Sequence, residues 1–155
     1  MKKLVIGLGN EYRRDDAIGL LIARDLRKKD LPEVEIVESS GEITELMDCW
    51  GNADYVFAVD ALDAGGAPGT LHCFNAQQGP LPTESFSCST HAISLPEAIE
   101  LARALDQLPP HLQVYGIQGK DFSAGDELSV ELQSQRKTLT EKIIKEISQG
   151  EQENA

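Results

Sequence analysis

The sequence predicts a single α/β domain, a three-layer sandwich in which a mostly parallel five-stranded sheet carries helices on both faces. Three observations point there. Short apolar runs alternate with longer stretches whose apolar residues recur every three or four positions, in the order βαβαββαβα. Two runs, Leu4-Val5-Ile6 and Tyr55-Val56-Phe57-Ala58-Val59, are apolar throughout, as strands buried on both faces are. Each of these runs gives way to a loop bearing glycines and carboxylates, and the C-terminal edge of an open α/β sheet is where ligands bind.

The first strand ends at Gly7 and Gly9, which let the backbone turn sharply and approach another group closely. A polar loop, Asn10 to Arg14, leads to Asp15 and Asp16. Ile18, Leu21, Ile22 and Leu26 then recur at helical spacing. Asp15 reads as the N-cap and Asp16 as a residue of the first helical turn, presenting a carboxylate at the edge of the first strand. The same pair equally suits a structural purpose, a cap plus a favourable charge on the helix dipole. This helix ends near Lys28-Lys29, ahead of Pro32.

Val34 to Val37 alternates with glutamates and reads as a second strand, nearer the sheet edge. Ser39-Ser40-Gly41 breaks it. Ile43, Leu46, Met47 and Trp50 mark a short amphipathic helix stopped by Gly51-Asn52. Tyr55 to Val59, the strongest strand signal, ends in Asp60, which opens a glycine-rich loop and repeats the placement of Asp16. A turn aspartate fits that position as well as a ligand does.

Thr70 to Phe74 is a further short strand. The loop 75–90, with Gly79, Pro80 and Pro82, is long enough to be functional. It leads through Ser89-Thr90-His91 to a helix bearing Leu95, Ile99, Leu101, Ala102 and Leu105, with Pro96 in its first turn. After Pro109-Pro110, Val114 to Ile117 is the last strand, and its exit loop passes through Gly119 and Gly125. A final helix covers about Ser129 to Ile147. The single domain thus occupies 1–149, and 150–155 is a polar tail.

Charge and cysteine usage exclude whole classes. A net charge of −12, from 14 Lys+Arg against 26 Asp+Glu, repels phosphate backbones and anionic membranes, so neither nucleic acid nor membrane is an expected partner. No apolar run approaches the roughly 18 residues of a membrane span. Cys49, Cys73 and Cys88 are scattered and odd in number, which reads as reduced thiols in a cytoplasmic protein, each buried as a small hydrophobe.

Three histidines are available. His72 lies in a strand and His111 follows two prolines on an expected surface loop, whereas His91 ends a long loop ahead of a helix. Asp16, Asp60 and His91 then converge on one sheet edge from three separate loops. Two carboxylates and an imidazole suit a divalent transition metal with open positions, and without a thiolate they hold it weakly. Other chemistries fit less well. Gly-x-Ser-x-Gly is absent. Gly7-x-Gly9 with Glu38 suggests a nucleotide site, but Tyr12 stands in place of the third glycine and the loop is long for a pyrophosphate.

The segments GLGNEYRRDDAIG, VFAVDAL with its tail APGT, STHAISL and VYGIQGKDF, in this order and spacing, resemble the hydrogenase maturation proteases. The resemblance spans nearly the whole chain to about Leu132. It implies a twisted five-stranded sheet between helices, and a nickel-dependent endopeptidase that removes a C-terminal extension from the [NiFe] hydrogenase large-subunit precursor after nickel insertion. The family's catalytic and metal positions fall on Asp16, Asp60 and His91. Nickel is expected to arrive with the precursor, leaving the isolated protein metal-free, and a monomer is expected. Ser39-Ser40-Gly41-Glu42 departs from a Gly-Gly-Thr-like turn of relatives, and Val130 stands where many have proline. Asn10 and Gly41 are candidates for shaping the substrate groove, though a turn amide and a helix-entry glycine serve the same positions. A nickel- and precursor-binding chaperone that does not cut, and a nucleotide-binding module, are the competing readings.

Overall fold

Strand β1 (Lys3–Leu8) is buried at every position, as a strand covered on both faces must be. In the computed structural model, which describes residues 2–86 and 93–153, it lies inside a five-stranded sheet. The other strands are β2 (Val34–Ser39), β3 (Tyr55–Leu62), β4 (Leu71–Asn75) and β5 (His111–Gln118). Their spatial order is β2-β1-β3-β5-β4, parallel except for β4, which runs antiparallel to β5. The predicted three-layer α/β sandwich is the observed architecture, with β2 at a sheet edge as its alternating glutamates indicate.

Side-chain alternation along the strands divides the core in two. Even-numbered residues Leu4, Ile6, Val56, Ala58 and Leu62 pack with helices α2 (Ile43–Trp50) and α3 (Leu95–Ala104). Odd-numbered residues Val5, Phe57, Val59 and Ala61 pack with α1 (Ile18–Lys28) and α4 (Val130–Glu153). At roughly 25 cal/mol for each Å² of apolar surface removed from water, these two layers are the main source of stability. Among the described residues no helix is long and apolar enough to cross a membrane.

Several local expectations are corrected. β3 does not end at Asp60 but continues to Leu62, because Ala61 and Leu62 find core on either face and pair with β5. Asp15 and Asp16 lie in a separate 3₁₀ turn, Arg14–Ala17, rather than at the cap and first turn of α1, and neither that turn nor α1 has a side-chain cap. His111 opens β5 and stacks on Tyr55 with ring centroids 4.5 Å apart, so it is no loop residue. Leu101 and Leu105 face solvent, since Ile99 and Ala102 already fill the α3 interface. Cys73 is exposed and Cys49 half-buried, not core hydrophobes. The last helix continues past Ile147 to Glu153.

Candidate active site

The C-terminal ends of β1 and β3 form a fork. Their pairing stops at Gly7 with Val59, after which β1 stays with β2 (Leu8 opposite Ser39) while β3 stays with β5 (Asp60 opposite Gly116). Chain leaving β1 goes by α1 to β2 at one edge of the sheet and chain leaving β3 goes to β4 at the other, the switch point at which such sheets open a crevice. A cleft of about 420 Å³ occupies it, lined by Gly9, Asn10, Asp16, Gly41, Asp60 and Phe86 among others. Asp60 stands in the even-numbered series of β3, so the alternation that puts Ala58 and Leu62 in the core puts a carboxylate on the same face, just beyond the last residue of β3 that pairs with β1.

Asp16 reaches the cleft from the 3₁₀ turn and is only 5% exposed. Gly9, at φ +148°, is what allows this. A β-carbon there would run into the Asp16 carbonyl, so only glycine lets the turn pack against the exit of β1. The Asn10 amide donates to Asp16 Oδ2 at 3.1 Å, and the Asn10 side chain in turn accepts from the Tyr12 amide at 2.9 Å. Asp60 accepts from the amide of Ala61 at 2.8 Å. Burial first, and then the neighbouring Asp16 carboxylate, push the Asp60 pKa up to about 7, opposed by the Ala61 hydrogen bond. Part of Asp60 still reaches solvent at the cleft surface, but protein surrounds its carboxylate closely enough for desolvation to lead.

The outer wall behaves differently. Arg24 donates to Glu38 at 2.9 and 3.1 Å and to Glu11 at 3.3 Å, and Arg27 donates to Glu38 at 3.1 Å. The Arg24 hydrogen bond, against the opposing effect of burial, holds the Glu38 carboxyl below its usual range. Glu38 is therefore committed to two guanidinium groups rather than presented for a ribose. Gly7 likewise serves packing, since a β-carbon on it would strike the Gly19 backbone and the Ala23 side chain of α1. Both supports of the nucleotide reading thus have structural employment.

Two of the three sequence-predicted residues, Asp16 and Asp60, meet in one cleft with Asn10 and Gly41 at its wall. His91 and Cys88 lie outside the described residues. Phe86 and Leu95, the nearest cleft-lining residues on either side of them in sequence, both belong to this cleft. Among the described residues, no group of three or more His, Cys, Asp and Glu is placed to hold a metal ion. Next to the site stands a residue with an unforeseen task. Asp15, fully buried, accepts four hydrogen bonds from Lys120, Asp121 and Ser129, partners too distant in sequence for any local pattern to signal.

The family model for hydrogenase maturation proteases (HycI) matches residues 20–146, which is most of the chain and includes Asp60 and His91. The chain belongs to the hydrogenase maturation protease family. It is 29% identical over 121 residues to the hydrogenase expression/formation protein HupD of Bradyrhizobium diazoefficiens, a match covering 77% of this chain and 63% of HupD. It is 29% identical over 120 residues to the hydrogenase 2 maturation protease of Escherichia coli, covering 76% and 73% respectively. The chain thus spans just under two thirds of the first relative and somewhat more of the second. In fold it is similar to the hydrogenase maturating endopeptidase HybD from E. coli (TM-score 0.77, 22% identity, 97% of this chain and 94% of that one). It is also similar to the [NiFe] hydrogenase maturation protease HybD from Thermococcus kodakarensis (TM-score 0.69, 24% identity, 94% and 98%).

Proposed function

We propose that this family member is an endopeptidase of hydrogenase maturation that removes the C-terminal extension of a nickel-loaded [NiFe] hydrogenase large-subunit precursor. The observation that carries the reading is the pair of acids at the β1/β3 fork, Asp60 with its pKa raised beside Asp16. Like charges held together in a partly desolvated cleft gain from the arrival of a cation, which is what a donor set of this kind selects. The described residues supply two oxygen donors. A site with two carboxylates and His91 as nitrogen donor remains open, so it suits a metal that arrives with its own ligands on the substrate better than a resident one.

Nickel carried by the precursor would supply Lewis acidity at the scissile carbonyl and acidify bound water. Asp16 and Asp60 orient that centre, and the Asn10 amide keeps the Asp16 carboxylate turned into the cleft. A carboxylate with a pKa near 7 is also matched to accept a proton from water at neutral pH, one of two roles Asp60 can fill.

Incubation with the cognate large-subunit precursor, with and without nickel loaded, tests this by intact mass. The nickel form alone is expected to lose a short C-terminal peptide. Asp16→Asn and His91→Ala are each expected to slow the loss by about 10²-fold or more. Wild-type rates in both variants would sink the assignment. Binding without a mass change would point to a non-cutting chaperone.

A further inference from the structure

Two successive aspartates on the Arg14–Ala17 turn serve opposite sides of it. Residues of a 3₁₀ turn project about 120° apart, so when Asp16 enters the cleft Asp15 is turned away from it. Asp15 Oδ2 accepts from the amides of Lys120 and Asp121 at 2.8 and 3.0 Å and from the Ser129 hydroxyl at 2.8 Å. Its Oδ1 accepts from the Ser129 amide at 2.8 Å. The backbone continues the seam, with the Asp15 amide donating to the Asp121 carbonyl, Arg14 to Gly125, and Gly125 to Tyr12. Gly119 leaves the room, because a β-carbon on it would crowd Phe122 and the Asp15 β-carbon.

We propose that Asp15 is a positioning residue for Asp16, clamping the 119–129 loop onto the turn that both aspartates share and so fixing the angle at which Asp16 enters the cleft. This rests on the reading of Asp16 as a functional carboxylate. The turn has little hold on its own geometry, being four residues long with no side-chain cap and with Arg14 at φ +43°. Hydrogen bonds to a carboxylate are roughly twice as strong as neutral ones, and four of them from two ends of one loop over-determine where the turn sits. Asp16 is then held from both directions, by Gly9 and the Asn10 amide on the sheet side and by Asp15 on the loop side.

Ser129→Ala removes one hydroxyl donor and leaves the hydrogen bond from the residue-129 backbone amide to Asp15, so it loosens the clamp without removing the Asp15 side chain. Ser129→Thr restores the hydroxyl, and Asp15→Asn is the severe version. The first readout needs no substrate. The Asn10 amide reports on Asp16 through their hydrogen bond, so its NMR shift and hydrogen exchange are followed in each variant. In Ser129→Ala the Asn10 amide is expected to move upfield and exchange about tenfold faster. In the same variant kcat for precursor processing falls about 5–10-fold with KM within about twofold, because a small misplacement of a reacting group is felt in the chemical step. Ser129→Thr restores both readouts. Faster exchange at 120–125 with Asn10 unchanged would overturn the proposal, since Asp15 would then hold the loop alone. If Asp16→Asn processes precursor normally, the functional reading falls, while the Asn10 signature still decides whether Asp15 positions its neighbour. Should Asp15→Asn fail to fold, the two Ser129 variants carry the test.

Discussion

At Asp60 the fold withdraws much of a carboxylate's water and sets another carboxylate beside it, so its pKa climbs from 3.8 to about 7. The folded protein therefore holds a proton there that the unfolded chain releases above about pH 4. Stability from this group is full below pH 4, declines as pH rises to about 7 and is flat beyond. Asp60→Asn removes that decline. The variant is expected to be about 1–3 kcal/mol more stable than the wild type at pH 8, with chelator present, and to show no advantage near pH 4. Thermal melts at the two pH values check this, and equal stability at pH 8 would mean that neither burial nor Asp16 raises the Asp60 pKa. The same variant should lose processing. That Asp16 and Asp60 share a cleft was legible in the sequence because each comes after an apolar run, Asp60 directly and Asp16 by way of a short polar loop. Asp15 was not, because its hydrogen-bond partners lie 105 to 114 residues away and its sequence context is that of an ordinary cap.

Among the elements, the site depends on how close the 14–17 turn comes to β1. Gly9 makes that approach possible by having no β-carbon where the Asp16 carbonyl sits, in a backbone conformation that L side chains rarely adopt. Gly9→Ala is expected to destabilise the protein by about 2 kcal/mol or more and to cut processing sharply, since the turn must retreat and carry Asp16 with it. Chemical denaturation with a parallel cleavage assay measures both, and an unchanged midpoint would refute the tight packing. Element types and order follow from periodicity alone, but boundaries do not. A single carboxylate in β3 reads as a stop, yet pairing with β5 carries the strand two residues further. His111 reads as loop after Pro109-Pro110, yet stacking on Tyr55 extends β5 to include it. In each case a neighbouring strand, invisible to a local window, supplied the missing partner.

For the molecule as a whole, two apolar layers fix the sheet from either side, and at the fork between β1 and β3 the face that carries Ala58 and Leu62 also carries the Asp60 carboxylate, with Asp16 beside it. That makes the cleft a site of uncompensated negative charge beside the core, and a bound cation should repay it in stability. Ligand that binds only the folded state adds RT ln(1 + [L]/Kd). Oxygen and imidazole donors without a thiolate bind weakly, so with a Kd on the order of 0.1–1 mM, nickel at about 1 mM should add roughly 0.5–1.5 kcal/mol. For a domain of this length that raises Tm by about 1–6 °C. Magnesium at the same concentration should do less, because it gives up its water reluctantly and gains nothing from a histidine. The nickel shift should shrink in Asp16→Asn and in Asp60→Asn, and chelator should reverse it. A shift of the same size in both variants would place the nickel elsewhere on this acidic surface. Retention of nickel through dialysis against chelator would mean the protein holds its own metal, and the precursor would then no longer be needed to deliver it.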